Sequence, residues 1–239
     1  MFIFKQKTLK AQLPKNMTDI HSHLLPGVDD GIRTMEDSVA ALEYLHEIGV
    51  KRICLTPHIM EDLPNNTPEN LQARFQELKA TASVRPELNL AAEYMLDAAF
   101  KEKLNDELLT MPEKHVLVET SASTPPPGLA DILYDLALSG YIPVIAHPER
   151  YNYMQPKEYG KMKEKEYKLQ LNLFSLTGYY GLMPQKKAVD LLKNGLYDFV
   201  GTDIHQLKVF QRALENLSLS SSQMQEIERL SSNNEALFA

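Results

Sequence analysis

One cysteine in 239 residues excludes any disulfide within the chain. Cys54 lies inside the apolar run Arg52-Ile53-Cys54-Leu55, which reads as a strand, so a buried, inert thiol is expected. A cysteine nucleophile for phosphoryl transfer would need an arginine six residues on, and that place holds Met60. The glycine loops that cradle nucleotide phosphates are missing too: neither GxGxxG nor GxxxxGK followed by Ser or Thr occurs. Lysine and arginine number 25 against 32 aspartate and glutamate, and no basic block stands out. A dedicated nucleic-acid binder is therefore disfavoured. No apolar run approaches membrane-spanning length, and Phe2-Ile3-Phe4 gives way to Lys5 too soon for the apolar region of a signal peptide. The expectation is a cytoplasmic protein without stable membrane insertion.

What is present is ordinary in bulk, with 44% hydrophobic and 24% charged residues, enough for a sizeable core. Short β-rich runs at 17–24, 51–58, 88–95, 115–120, 142–147, 168–174 and 199–205 alternate with amphipathic stretches. Those stretches fall at 35–48, 68–82, 97–109, 129–138, 156–166 and 184–193. Strands alternating with helices imply parallel βαβ units. Seven of them predict an α/β fold, a distorted (β/α)7 TIM-like barrel with parallel strands and outer helices, an open doubly wound sheet being the other arrangement. The simplest organisation is one domain over 1–239, with an N-terminal extension at 1–16 and a C-terminal segment at 206–239. That last segment reads as helical and then rich in Ser and Asn, with a frayed end.

The chemistry is carried by residues that end the predicted strands. Asp19-Ile20-His21-Ser22-His23 puts two imidazoles on one face of an extended segment, and Asp29-Asp30-Gly31 follows. His58, Glu93, Glu119 and His147 end the next runs, and Asp203 with His205 ends the last. In a parallel barrel these ends share one rim, where active sites are built. Any one of these residues has an ordinary structural use, but five of seven histidines at strand ends is a coincidence that a metal site explains. The nine candidate ligands are His21, His23, Asp30, His58, Glu93, Glu119, His147, Asp203 and His205. Nine groups exceed what one or two ions use while leaving a substrate position open, so three divalent ions are expected. Against four carboxylates, three such ions leave positive charge for a phosphate monoester dianion. Nitrogen and oxygen donors without thiolate suit Mn, Fe or Zn.

Several neighbours bear on the same rim. Asp19, two residues before His21, either orients a ligand histidine from behind or is structural. Arg150, in His147-Pro148-Glu149-Arg150-Tyr151, either grips phosphate oxygens or pairs with Glu149 or another rim acid. Arg33 is a second anion-binding candidate or a solvated charge. Tyr179 and Tyr180 either flank a substrate ring or pack their loop. His46 and His115 lie away from the rim and are not expected to be ligands.

The run from Asp19 to Gly31 resembles the opening signature of PHP-domain phosphoesterases, and more closely the CpsB/CapC type of tyrosine-protein phosphatase encoded with capsule and exopolysaccharide genes. Thr56-Pro57-His58, the box from Ile145 to Tyr151, Ser175-Leu176-Thr177-Gly178 and Thr202-Asp203-Ile204-His205 resemble the same family in order and spacing. The resemblance runs from about Met17 to His205. It implies the distorted sevenfold barrel and a trinuclear, usually manganese-type centre. On the family pattern His21, His23, Glu93 and Asp203 hold one ion, and Glu93 bridges to a second bound by Glu119 and His147. Asp30, His58 and His205 hold the third. The implied substrate is phosphotyrosine on a bacterial tyrosine kinase that regulates polysaccharide export. The implied reaction is attack of a metal-bridging hydroxide on phosphorus, with Arg150 and Asp203 as the catalytic side chains. The alternatives are a small-molecule phosphatase such as histidinol phosphatase, a nuclease, and a catalytically silent module that binds the kinase. Lys208 and Arg212 are the candidates for a second phosphate-gripping cation.

Overall fold

The computed structural model describes residues 9–10 and 13–239. The strands are β1 (Leu9–Lys10), β2 (Thr18–Asp19), β3 (Arg52–Leu55), β4 (His58–Ile59), β5 (Glu87–Leu90) and β6 (Glu93–Met95). They continue as β7 (His115–Glu119), β8 (Ile142–Ala146), β9 (Lys168–Asn172), β10 (Phe199–Gly201) and β11 (Ser218–Leu219). The helices are α1 (Met35–Glu47), α2 (Pro68–Thr81), α3 (Phe100–Lys103), α4 (Leu129–Leu138), α5 (Pro156–Glu164), α6 (Leu182–Lys193), α7 (Leu207–Glu215) and α8 (Ser221–Leu237). Of the N-terminal extension, residues 1–8 and 11–12, which include the Met1–Lys5 run, lie outside the described residues; β1 pairs antiparallel with β11. Among the described residues no helix is long and apolar enough to cross a membrane.

A six-stranded parallel sheet, β10-β9-β8-β7-β6-β4, and a three-stranded one, β2-β3-β5, together make the predicted seven strand positions. Two positions are split in the chain: β3 and β4 are parted at Thr56-Pro57, β5 and β6 at Ala91-Ala92. Proline donates no ladder hydrogen bond, which accounts for the first break. On β7 the side-chain alternation is plain. Val116 and Val118 face the helices, Leu117 joins an inner cluster with Ile20, Cys54 and Val144, and Glu119 lies two residues further along the inner face. Cys54 is fully buried as expected, and burial pushes its thiol pKa up.

The seam between β2 and β10 is where the two sheets meet without a continuous ladder. At the top a parallel bridge joins Ser22 to Ile204, with Asp203 N donating to His21 O at 2.9 Å and His23 N to Ile204 O at 2.9 Å. In the middle Asp19 Oδ1 accepts from Thr202 N at 3.0 Å, and Thr202 Oγ1 donates to Asp19 Oδ2. At the bottom Asn234 of α8 is fully buried, donating to Thr18 O at 2.8 Å and Val200 O at 2.6 Å and accepting from Val200 N at 3.2 Å. An asparagine amide has the donor and acceptor of a peptide group, so it completes the ladder that the backbone leaves open. This corrects the frayed Ser/Asn-rich end expected from the sequence: 221–237 is a helix pinned by Ile227, Leu230 and Asn234. Asn234→Ala is expected to lower unfolding free energy by about 3 kcal/mol, since it strands buried backbone groups. Urea denaturation of the two proteins measures it.

The helix expected at 97–109 shrinks to the single turn of α3. Asp97 accepts from Ala99 N at 3.0 Å and Glu61 N at 2.7 Å, which holds a turn, and the Leu108 and Leu109 amides donate to the Tyr141 and Tyr94 hydroxyls. Those amides are therefore unavailable to a helix.

Candidate metal centre

The structure brings all nine candidate ligands together at one rim, although His58 and Glu93, expected to end strands, instead open β4 and β6, the short continuations of β3 and β5 past their breaks. Four groups of their donor atoms each fall within 4.8 Å: His21, His23 and Glu93; His21, His147 and Asp203; His58, Glu93 and Glu119; and His23, Asp30, His58 and His205. The deepest knot joins His21 Nε2 and His23 Nε2, 3.2 Å apart. Glu93 Oε2 lies 3.1 Å from the first and 3.3 Å from the second, and Asp203 Oδ1 lies 3.3 Å from each. Glu93 extends the set, with Oε1 3.2 Å from His147 Nε2 and Oε2 3.4 Å from His58 Nδ1. Glu119 Oε1 lies 3.1 Å from His58 Nδ1. His58 presents its other nitrogen to Asp30 Oδ1 at 3.5 Å, and His205 Nε2 approaches the same oxygen at 3.3 Å. His21, His23, Glu93, His147 and Asp203 are buried, whereas Asp30 is 72% exposed and His205 30%, so the centre opens on their side.

The donor chemistry fits cations. His21 Nδ1 sits 3.0 Å from Gln170 Oε1 and His23 Nδ1 2.9 Å from Asp29 Oδ2, both pure acceptors, so each Nδ1 carries the proton. The two Nε2 lone pairs then face each other and two carboxylates in a fully buried space. Such an arrangement is repulsive unless positive charge lies between the groups. Three buried polar atoms of the same set, His58 Nδ1, Glu93 Oε1 and His147 Nδ1, have no hydrogen-bond partner. Without metal, protons take the place of cations. Burial opposes charge on His58, yet Asp30 and Glu119 beside it raise its pKa to about 10. Burial would raise the Glu93 carboxyl, but the His21 and His147 rings hold it well below the usual range. Divalent ions binding here would displace such protons.

His147 and Asp203 sit at left-handed φ values of 31° and 54°, backbone strain concentrated at two ligand candidates. Asp203 is held by its outer oxygen: Oδ2 accepts from Arg150 Nη1 at 2.8 Å and from Asn172 Nδ2 at 3.0 Å, which leaves Oδ1 to the centre. Arg150 thus pairs with a rim acid that is not Glu149. Glu149 is buried and accepts from Asn172 N, Ser175 Oγ and the Tyr197 hydroxyl. The Arg150 guanidinium lies 4.5 Å from the Tyr180 ring centroid. Arg33 is exposed and forms no ion pair with a described residue, and Lys208 is exposed on α7. His46 and His115 stand apart from the centre, with His115 Nδ1 on Pro112 O.

Asp19 does not orient a histidine ring. Its carboxylate binds the backbone of His21 and Thr202, and the rings are instead oriented by Asp29 and Gln170. Sequence reasoning missed Asp29, Gln170 and Asn172. Asp29 stood beside Asp30 in the motif. Gln170 and Asn172 alternate with Leu169, Leu171 and Leu173, so polar residues at period two inside a buried strand were the available signal. Asp29 Oδ2 also accepts from His58 N at 3.1 Å. Asp29→Asn is expected to weaken divalent-metal affinity about 10- to 100-fold with little loss of fold, measured by metal titration against circular dichroism.

Residues 17–226 match the family described as "Capsular polysaccharide synthesis, CpsB/CapC". The chain is 31% identical over 205 residues to the tyrosine-protein phosphatase YwqE of Bacillus subtilis, covering 80% of this chain and 78% of the relative. It is 28% identical over 209 residues to the tyrosine-protein phosphatase CpsB of Streptococcus agalactiae serotype V, covering 81% and 84%. Its fold superposes with a TM-score of 0.76, at 27% identity and over 92% of this chain and 94% of the other, on a crystal structure from work on YwqE of Bacillus subtilis and CpsB of Streptococcus pneumoniae. Those proteins are described as unique metal-dependent tyrosine phosphatases.

Proposed function

The chain belongs to the CpsB/CapC family of capsular polysaccharide synthesis, and on that premise we propose that it is a metal-dependent protein-tyrosine phosphatase. Its substrate is a phosphotyrosyl protein, in this reading a bacterial tyrosine kinase of capsule or exopolysaccharide synthesis. The observation that carries the proposal is the convergence of His21 Nε2, His23 Nε2, Glu93 Oε2 and Asp203 Oδ1 in a buried space, with Arg150 on the outer oxygen of Asp203.

His21, His23, Glu93 and Asp203 would hold one divalent ion, Glu119 and His147 with Glu93 a second, and Asp30, His58 and His205 a third, with manganese the metal that the family pattern favours. When bound, such ions supply Lewis-acid neutralisation of phosphoryl oxygens and an acidified water. Arg150 spends one nitrogen on Asp203 and is 30% exposed, leaving the rest of its planar fork to phosphate oxygens at the mouth. Tyr180 beneath the guanidinium fixes its plane. Asn172 and Arg150 hold Asp203 with one oxygen turned inward. Arg33 is a further phosphate-attracting charge. No side chain is needed as covalent nucleophile, and Cys54, buried with a raised pKa, does not serve as one. A phenolate leaves readily, so a strong general acid matters less than for an alkyl ester.

The reading is tested by turnover of a phosphotyrosyl peptide and of histidinol phosphate side by side, on manganese-loaded and chelator-stripped protein. The expected result is preferred cleavage of the peptide, lost on chelation and restored by metal. Preference for histidinol phosphate, or turnover indifferent to chelator, would sink it.

A further inference from the structure

Beside the centre lies a cleft of about 240 Å³ whose inner wall is Arg150, Asp203 and His205 and whose other walls include Tyr180, Val209 and Phe210. Tyr179, Val209 and Ala213 also line a second, outer groove, bounded by segment 177–179 on one side and by Arg212 on the other. The two form one trough between the segment after β9 and helix α7, leading outward from the centre.

The inner part of this trough is rigid and aromatic. The Tyr180 hydroxyl accepts from Asn172 Nδ2 at 3.0 Å, its ring stacks under Arg150, and Phe210 is held edge-on by Phe174 with centroids 5.4 Å apart. Tyr179 meets Tyr180 edge-on at 4.8 Å yet remains 54% exposed, an aromatic surface offered to solvent at the lip. The outer part is charged. Arg52, Arg74, Arg150 and Arg229 each pair with a carboxylate; Arg33, Arg85 and Arg212 pair with none among the described residues, and of these three it is the exposed Arg212 that lines the trough. An unpaired cation on the lip of a site, in a chain of net charge −7, is complementary to an anion brought by the substrate.

We propose that this trough binds the peptide flanking the phosphotyrosine, with the aryl ring against Tyr180 and Phe210 and an acidic substrate residue paired with Arg212. Val209 and Arg212 are one helical turn apart, about 5 Å along the axis. At about 3.3 Å per extended residue that step covers one or two positions, so the acid lies roughly one or two residues from the phosphotyrosine. The site therefore selects tyrosine-phosphorylated segments with a nearby Asp or Glu. The inference rests on the phosphotyrosyl reading above and adds which sequences it prefers.

The test uses paired phosphotyrosyl peptides with Glu or Gln at those positions, and their phosphonomethyl-phenylalanine counterparts for equilibrium binding by fluorescence anisotropy. Wild type, Arg212→Gln and Arg212→Glu are compared as manganese-loaded full chains, each rate divided by the same protein's rate on phenyl phosphate so that damage to the centre cancels. The expected result is about threefold preference for the Glu peptide in wild type, in both kcat/KM and Kd. Arg212→Gln should lose that preference and Arg212→Glu should invert it. The same Glu/Gln ratio in all three proteins overturns the trough assignment while leaving phosphotyrosyl turnover intact. Absence of phosphotyrosyl turnover with turnover of histidinol phosphate overturns the phosphatase reading, and this inference with it.

Discussion

Glu93→Gln is expected to lower kcat/KM on phosphotyrosyl peptide by on the order of 10³, and to reduce the divalent ions retained, with the chain still folded. Its two oxygens lie 3.1 to 3.4 Å from nitrogens of four imidazoles, His21, His23, His58 and His147, where Asp203 approaches three. Glutamine keeps the shape but removes the charge and turns N–H donors toward nitrogen lone pairs. Two of the proposed ion positions share Glu93, so losing it weakens both together. Metal content by mass spectrometry, measured beside turnover, separates this from a generally damaged protein. A Glu93→Gln protein with full metal content and activity within tenfold of wild type would overturn the bridging role.

Gly31→Ala is expected to cut activity more than 100-fold and to destabilise the protein by about 3 kcal/mol, by steric overlap alone. A Cβ at Gly31 would stand 2.2 Å from His23 O, 2.6 Å from His23 Cβ and 2.9 Å from Asp29 Oδ1. Nothing there can yield cheaply. His23 O accepts from Ile32 N at 3.0 Å, and Asp29 Oδ1 accepts from Gly31 N at 2.9 Å. Any shift moves His23, the Asp29 that orients it, and Asp30. Gly160→Ala in α5 is the matching control, since nothing lies within 4 Å of its Cβ position. It should raise stability by about 0.5–1 kcal/mol. Thermal melts and turnover of both variants decide the matter, and a Gly31→Ala protein with wild-type melting and activity would refute the overlap.

Both predictions depend on residues whose place was legible in the sequence for different reasons. His58, Glu93, Glu119, His147 and Asp203 stood out because each ends an apolar run, and in a parallel α/β fold such ends share a rim. Gly31 stood in the motif, but nothing local says that its hydrogen is pressed against His23 O. The helix at 129–138 was readable to the residue, its apolar face being continuous at helical spacing. The one at 97–109 was not, because the hydroxyls of Tyr94 in β6 and of Tyr141 just before β8 take amides it needed.

By itself the sequence determined which residues are candidates for metal and which strand or following loop carries each, since alternation and apolar-run boundaries are local properties of the chain. It determined the family as well, through motifs spread from Asp19 to His205. Tertiary structure alone decided the grouping: that Glu93 sits among four imidazoles, that Asp29 and Gln170 rather than Asp19 orient the rings, and that Arg150 grips Asp203. It also decided that Asp19 and Asn234 clasp the seam between β2 and β10. His21 meets Gln170 across 149 residues, and Thr18 meets Asn234 across 216. Contacts at such separations are fixed by how the strands close on one another, and no local periodicity encodes that closure.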